Sequence, residues 1–284
     1  MLDSAVKRRK GLMSREQSKN ETSVLKRVSE ILNLFSESRP TITLADVEDA
    51  LGVSQASAYR YVHDLHEIGL LSRTSGRYAP GPKIMELEYI ISKFDPVIAA
   101  SRELMEESSA HLGCHMLLGR LYGNRLVNVY YSRPNHLPAL NYSPGRRMPL
   151  FRGAQARVIL ANLDRRRLRR IFETGEGDTD RNKIGADWTS FNAALQRNRR
   201  EGYYISREEL DKGVAGIAAP VFDENGEVLG SISIAYSITS PLARDEERLI
   251  KIVREMTRVI TLRIAELEDR PEQEIHSVRF EIAE

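Results

Sequence analysis

The apolar positions change period along the chain, and the changes mark out its elements. From residue 24, "VLKRVSEILNLF" sets Val24, Leu25, Val28, Ile31, Leu32 and Phe35 three and four apart, the spacing of an amphipathic helix. Thr43 stands as the cap of "LADVEDALG". Its Ala45, Val47 and Leu51 face inward, Glu48 lies near the start where the helix dipole favours acids, and Gly52 follows the last turn. Ser54 caps "QASAYRYVHDLHEIG", in which Ala58, Val62 and Leu65 repeat at four and three before Gly69. "LLSRTSGRYAP" reads as two short strands about Thr74-Ser75-Gly76. Helix, helix, tight glycine turn, helix and basic hairpin predict a winged helix-turn-helix over residues 22–81.

Residues 82–96 read as a linker helix carrying Ile84, Leu87, Ile91 and Phe94 on one stripe, broken by Pro96. A helix over 97–112 follows, with Val97, Ser101, Leu104, Met105, Ser108 and Leu112 on one face. Strand runs come next. "CHMLLGRL" and "RLVNVYYSRP" flank Tyr122-Gly123-Asn124 as a hairpin, and "ALNYSPG" is a further strand candidate. Residues 152–173 and 187–200 carry helical patterns. The strands "YYISREEL", "VAGIAAPVFD" and "EVLGSISIAY" follow, the last two joined through Asn225-Gly226, a strong hairpin signal. Ser240 caps and Pro241 opens a long last helix lined by Leu249, Ile252, Val253, Met256 and Ile260. The fold class expected is α+β: the winged helix-turn-helix, then a domain over 97–268 with an antiparallel sheet flanked by helices. Residues 1–21 read as a flexible arm, whose Lys7–Lys10 cluster either brushes phosphates or is simply solvated, and 269–284 as a tail.

Composition narrows the function. The chain has 284 residues, enough for two domains, with 41% hydrophobic and 29% charged residues. Its formal net charge is only +2, so contact with nucleic acid has to come from a local basic face. The single cysteine, Cys114, forms no intramolecular disulfide, which suits a reducing compartment. No apolar run follows the early basic cluster and none approaches a membrane span, so neither a secretory signal nor a membrane contact is expected; the compartment expected is the cytoplasm.

The third helix has a face fit for a DNA groove. Its apolar stripe leaves Gln55, Ala56, Ser57, Tyr59, Arg60 and His63 outward, with Ser54 at the start. Gln pairs with adenine edges, Arg with guanine edges or phosphate, Ser with either, and Tyr with a phosphate or a thymine methyl. Arg73 and Arg77 lie on the hairpin, placed for phosphates or the minor groove. An ordinary solvated helix face is the plain alternative. "HLGCH" sets His111, Cys114 and His115 close together. With no second cysteine and with Cys114 and His115 on opposite faces of a strand, it reads as lining rather than as a metal site. No nucleophile elbow, phosphate loop or zinc-protease motif is present, so catalysis is not expected, and no cofactor is implied. "GRRMPLFRGAQARVILANL" runs from a basic loop (Arg146, Arg147, Arg152) into a helix starting on Gly153, Ala154 and Ala156. Small residues there let an anionic ligand reach the free amides, and plain helix packing is the alternative.

The chain resembles the IclR family of bacterial transcription regulators over about residues 22–268. The resemblance rests on "LGVSQASAYRYVHDLHEIGLL", on "GRRMPLFRGAQARVILA" and, most specifically, on "GYYISREELDKGVAGIAAPVFDENGEVLGSISIA" with its Glu209 and Gly213. Arg60 matches the family pattern, whereas Ala56-Ser57 stands where Ser-Thr is usual. Phe151 replaces a common His and Ala156 a common Gly, changes that alter the pocket's floor and polarity. The resemblance implies a GAF-like effector domain, a homodimer or homotetramer, operator DNA as partner, and control of catabolic operons by small organic or aromatic acids. By matching position it implies effector contacts at Ala154, Gln155, Ser206, Val214, Gly216, Ser231 and Ser233, with Leu140 and Met148 beside them. Two other readings are a small-molecule enzyme with an accessory DNA-binding-like domain, and a helix-turn-helix used only for protein contacts.

Overall fold

The computed structural model describes residues 23–268; the arm, the Lys7–Lys10 cluster and the tail lie outside them. Contacts divide the chain into two units, residues 1–91 and 92–284.

In the first unit, α1 (Val24–Leu32), α2 (Leu44–Leu51) and α3 (Gln55–Glu67) close on Ile31, Ile42, Val47, Ala58, Tyr61, Val62 and Leu65. The expected α1 stripe is too long. Only its last two turns meet the core, so Val24 and Leu25 are exposed, and Phe35 packs from the turn beyond the helix. α2 begins in a capping box, in which Thr43 accepts from the Asp46 amide and the Asp46 carboxylate accepts from the Thr43 amide. Its inward stripe is Leu44, Val47 and Leu51; Ala45, expected inward, faces solvent because it falls between turns of that stripe. Gly52 closes α2 in the left-handed region (φ 60°), the short turn into α3. β1 (Leu71–Thr74) and β2 (Arg77–Pro80) form the wing around Ser75 and Gly76, both at positive φ, as a two-residue hairpin requires. Ile42 bridges the other edge of β2, exchanging two 2.8 Å backbone hydrogen bonds with Tyr78.

α4 (Pro82–Phe94) follows, with none of its residues buried. Pro96 does not merely end it. Asp95 caps the next helix, α5 (Pro96–Leu112), by accepting from the Val97 and Ile98 amides, and Pro96 occupies the first turn, where its missing N–H is no loss.

The second unit is built on a six-stranded antiparallel sheet. Its order is β5 (Arg147–Met148), β4 (Arg125–Ser132), β3 (His115–Tyr122), β8 (Val228–Ser237), β7 (Val214–Phe222), β6 (Tyr204–Arg207). Alternation along the strands makes two different faces. Met116, Leu118, Ile217, Val221, Ile232 and Ile234 point to one face, where α5 and the long α10 (Glu246–Glu268) cover them with Met105, Val253 and Ile260. Leu117, Ala218 and Ala235 point to the other, beneath α6 (Ala154–Asn162). Behind α6, α7 (Arg165–Thr174), α8 (Thr179–Ile184) and α9 (Trp188–Glu201) gather Phe151, Phe172, Trp188 and Phe191 into an aromatic cluster.

Other elements also differ from the expectation. "ALNYSPG" is an irregular loop; the strand beside β4 is the two-residue β5. Residues 152–173 are two helices, because Asp164 turns out of the helix and caps α7 by accepting from the Arg167 amide. The short α8, capped by Asp178, was not foreseen. Finally, Pro241 opens a 3₁₀ turn (Pro241–Arg244), and the long helix starts only at Glu246. Among the described residues no helix is long and apolar enough to cross a membrane.

Candidate functional site: a DNA-reading helix and a sensor cavity

α3 is held from below by Ala58, Tyr61, Val62 and Leu65 and presents Ser54, Gln55, Ala56, Tyr59 and Arg60 to solvent, with Ser57 half-buried. Ser54 makes no capping bond to the backbone; its hydroxyl donates to Ser57 Oγ at 3.2 Å. Tyr59 is 51% exposed and stacks on His63 with ring centroids 6.0 Å apart. Arg60 lies over the Tyr61 ring, and Arg27 of α1 approaches the same ring and donates to the Tyr61 hydroxyl at 2.6 Å. Tyr61 and Arg27 escaped the sequence reading because their pairing links positions 34 residues apart. On the wing, Arg73 lies by the Tyr78 ring and is open to solvent. Arg77 is partly committed, donating to Thr41 Oγ1 at 2.7 Å and to the Thr41 carbonyl at 3.3 Å.

The sheet face beneath α6 holds a small cavity under the start of that helix. Its walls include Leu117, Leu126, Tyr142, Met148 and Leu210, and its polar lining is Arg152, Gln155, Ser206 and Ser233. Gly119 lets α6 settle on the sheet, and Gly216 makes room for Ser206 of β6. A Cβ at Gly119 would lie 2.7 Å from Gln155 Nε2, and one at Gly216 would lie 3.1 Å from Ser206 Oγ. Gln155 is only 7% exposed, and its Nε2 has no partner. Glu209 secures the helix entrance: one oxygen accepts from the Gly153 amide at 2.9 Å, the other from the Tyr204 hydroxyl at 2.8 Å. Burial pushes the Tyr204 phenol up to about 12, with Glu209 adding to the rise and Arg157 opposing it. Arg152 stands 3.6 Å from the Asp180 carboxylate. The cavity is small, at about 30 Å³, the room of one water.

Of the effector positions expected, Met148, Ala154, Gln155, Ser206, Val214, Gly216 and Ser233 line this cavity. Ser231 does not. It is fully buried two residues away from Ser233 along β8, opposite Gly119. Leu140 lines a neighbouring cavity. Phe151 is not at the pocket's floor, because it packs edge-on against Phe191 in the aromatic cluster; Ala156 does line the cavity. Sequence reasoning missed Tyr142, which descends from the irregular loop, and Leu210. Cys114 is buried among apolar side chains, which raises its thiol to about 12, and no metal-holding cluster of His, Cys, Asp and Glu occurs among the described residues.

A winged helix-turn-helix followed by a sheet domain with a small polar-lined recess under a helix N-terminus is the build of a DNA-binding transcription regulator. The comparisons agree. The model of the IclR helix-turn-helix domain matches residues 24–75, and that of the bacterial transcriptional regulator IclR C-terminal domain matches residues 90–262. The chain belongs to the IclR family, whose members are regulators rather than enzymes. It is 30% identical over 220 residues to the HTH-type transcriptional regulator KipR of Bacillus subtilis, covering 77% of this chain and 87% of that one. Its fold matches an IclR transcriptional regulator from Alicyclobacillus acidocaldarius with a TM-score of 0.72 at 24% identity, over 85% of this chain and 98% of that one. It also matches an IclR homologue from Microbacterium hydrocarbonoxydans crystallised with 4-hydroxybenzoate, with a TM-score of 0.68 at 20% identity, over 85% and 99%.

Proposed function

We propose that this regulator controls a catabolic operon from the cytoplasm, where operator DNA is, and answers to a small organic or aromatic acid. The observation that carries the reading is the lining at the start of α6, where apolar side chains meet a helix N-terminus, Arg152 and the unpartnered Gln155 amide; with room for one water, the recess has to widen to admit a ring. Helix N-termini and guanidinium groups favour a carboxylate, and Leu117, Leu126 and Leu210 suit a compact apolar body. The fold-matched relative crystallised with 4-hydroxybenzoate supports the same class.

In this reading Ser54, Gln55, Ala56, Ser57, Tyr59 and Arg60 face the major groove, while Arg73 and, less freely, Arg77 meet the backbone beside it. A second copy pairs through α4, whose Ile84, Leu87, Ile91 and Phe94 are all exposed, so that two recognition helices meet two half-sites. The effector binds one arrangement of the pair better and shifts its population.

Two variants separate the functions. Arg60→Ala is expected to weaken operator binding about tenfold or more in a mobility-shift assay at fixed salt, with the benzoate-induced thermal shift unchanged. Gln155→Leu is expected to remove the thermal shift and leave operator binding intact. A Gln155→Leu protein with an undiminished benzoate response would defeat the acid-sensor reading.

A further inference from the structure

A second cavity lies on the same sheet face, at the end of the strands beyond Ala235. It holds about 180 Å³ and shares only Val214 and Ala235 with the first. Leu137, Pro138 and Leu140 roof it, and Cys114, His115, Ser240 and Leu242 stand in its wall. Three features left unused above therefore meet in one place: the His and Cys of "HLGCH", Leu140, and the Ser240 hydroxyl that caps nothing.

The polar groups here are arranged for a neutral partner. His115 is 6% exposed, and its Nδ1 lies 2.8 Å from the Tyr131 hydroxyl. That hydroxyl oxygen already accepts the Leu140 amide at 3.2 Å, so its own proton is free to go to Nδ1. A neutral ring accepting at Nδ1 carries its proton on Nε2, which becomes the ring's free donor. Burial, then Arg133, lowers the His115 pKa, in keeping with the neutral ring. Ser240 Oγ is buried without a hydrogen-bond partner. No Arg, Lys, Asp or Glu lines the cavity, in contrast to the first with its Arg152. The volume is that of a single substituted ring, since a cavity of about 150 Å³ accepts benzene.

We propose that this second cavity is a ligand site for an uncharged, ring-sized group bearing one oxygen, which accepts from His115 Nε2–H and bonds the Ser240 hydroxyl. Such a group reaches the site either as a separate small molecule or as the far end of an elongated effector whose acid end occupies the first cavity.

The test is calorimetric titration of the full-length protein with phenol, with benzoate, and with 4-phenoxybutyrate as the elongated acid. Phenol binding that persists under saturating benzoate, weakens about fivefold in Ser240→Ala and is untouched by Gln155→Leu supports the site with a separate ligand. Phenoxybutyrate binding weakened by both Ser240→Ala and Gln155→Leu, without independent phenol binding, supports the site as the distal end of one effector. His115→Gln, which keeps a donor near the Nε2 position, is expected to bind better than His115→Phe. Binding of phenol and phenoxybutyrate that is indifferent to Ser240→Ala and to both His115 variants overturns the proposal, as does the absence of binding by either. The benzoate arm reports on the first cavity alone, so failure there leaves the phenol result readable.

Discussion

Gln155 shows how much one side chain depends on the absence of another. Its amide lies against Gly119 on β3, where a Cβ would come within 2.7 Å of Nε2. A flexible side-chain end can move aside at small cost, but it then leaves the cavity wall. Gly119→Ala is therefore expected to leave the fold intact while weakening the benzoate-induced thermal shift at least fivefold. Operator binding measured by mobility shift should stay as it was. A stability loss with an intact ligand response would mean that the contact is structural only. Gly153 is more constrained: its φ is 90° and a Cβ there would meet Leu210 at 2.8 Å. The chain can enter α6 at this angle only with glycine.

At the scale of elements, caps and stripes do most of the placing. The Asp46 carboxylate sits below its ordinary value because the Thr43 amide and then the Thr43 hydroxyl donate to it, with Arg39 adding attraction. A carboxylate whose folded pKa is depressed stabilises fully above its unfolded value, near 3.8, and loses that contribution as pH falls through the folded value. Protection of the Val47 amide against hydrogen exchange is thus expected to fall below about pH 4 in the natural sequence. In Asp46→Ala it should already be about fivefold lower at pH 7, the equivalent of about 1 kcal/mol for a lost cap. α4 makes the opposite case, a helix with an apolar stripe that no described residue buries: Ile91 and Phe94 are 52% and 53% exposed. Ile91→Asp is expected to convert the proposed dimer to monomer in sedimentation and to lower operator affinity at least tenfold, since two half-sites are then no longer bound as one. A natural protein that already sediments as a monomer would refute the pairing.

At the scale of the molecule, two units with separate cores carry two tasks. The second unit's core closes without any residue of the first. A fragment of residues 92–268 is expected to fold cooperatively and to keep the benzoate thermal shift, while losing operator binding entirely; circular dichroism and the two binding assays check this. Much of that division was legible in the sequence, because it rests on local periodicity. The α3 stripe, the Gly52 turn, the β3–β4 hairpin and the Asn225-Gly226 hairpin all follow from residues within a few positions of one another. The misread elements are those decided at a distance. Val24 and Leu25 have helical spacing but reach past the core, and "ALNYSPG" has strand-like residues but no strand to pair with. Ser240 has a capping residue's chemistry but faces a cavity.

The sequence by itself determined the two-part plan and the exposed polar face of α3, since short-range spacing assigns residues to faces; seven residues of the first cavity's lining followed from the resemblance to known regulators. Only the tertiary structure decided what those faces enclose. Gln155 on Gly119, Glu209 at the Gly153 amide, and His115 with Tyr131 beside Ser240 join residues far apart in the chain. Depth of burial, free hydrogen-bonding capacity and cavity volume depend on such meetings, and no local pattern encodes them.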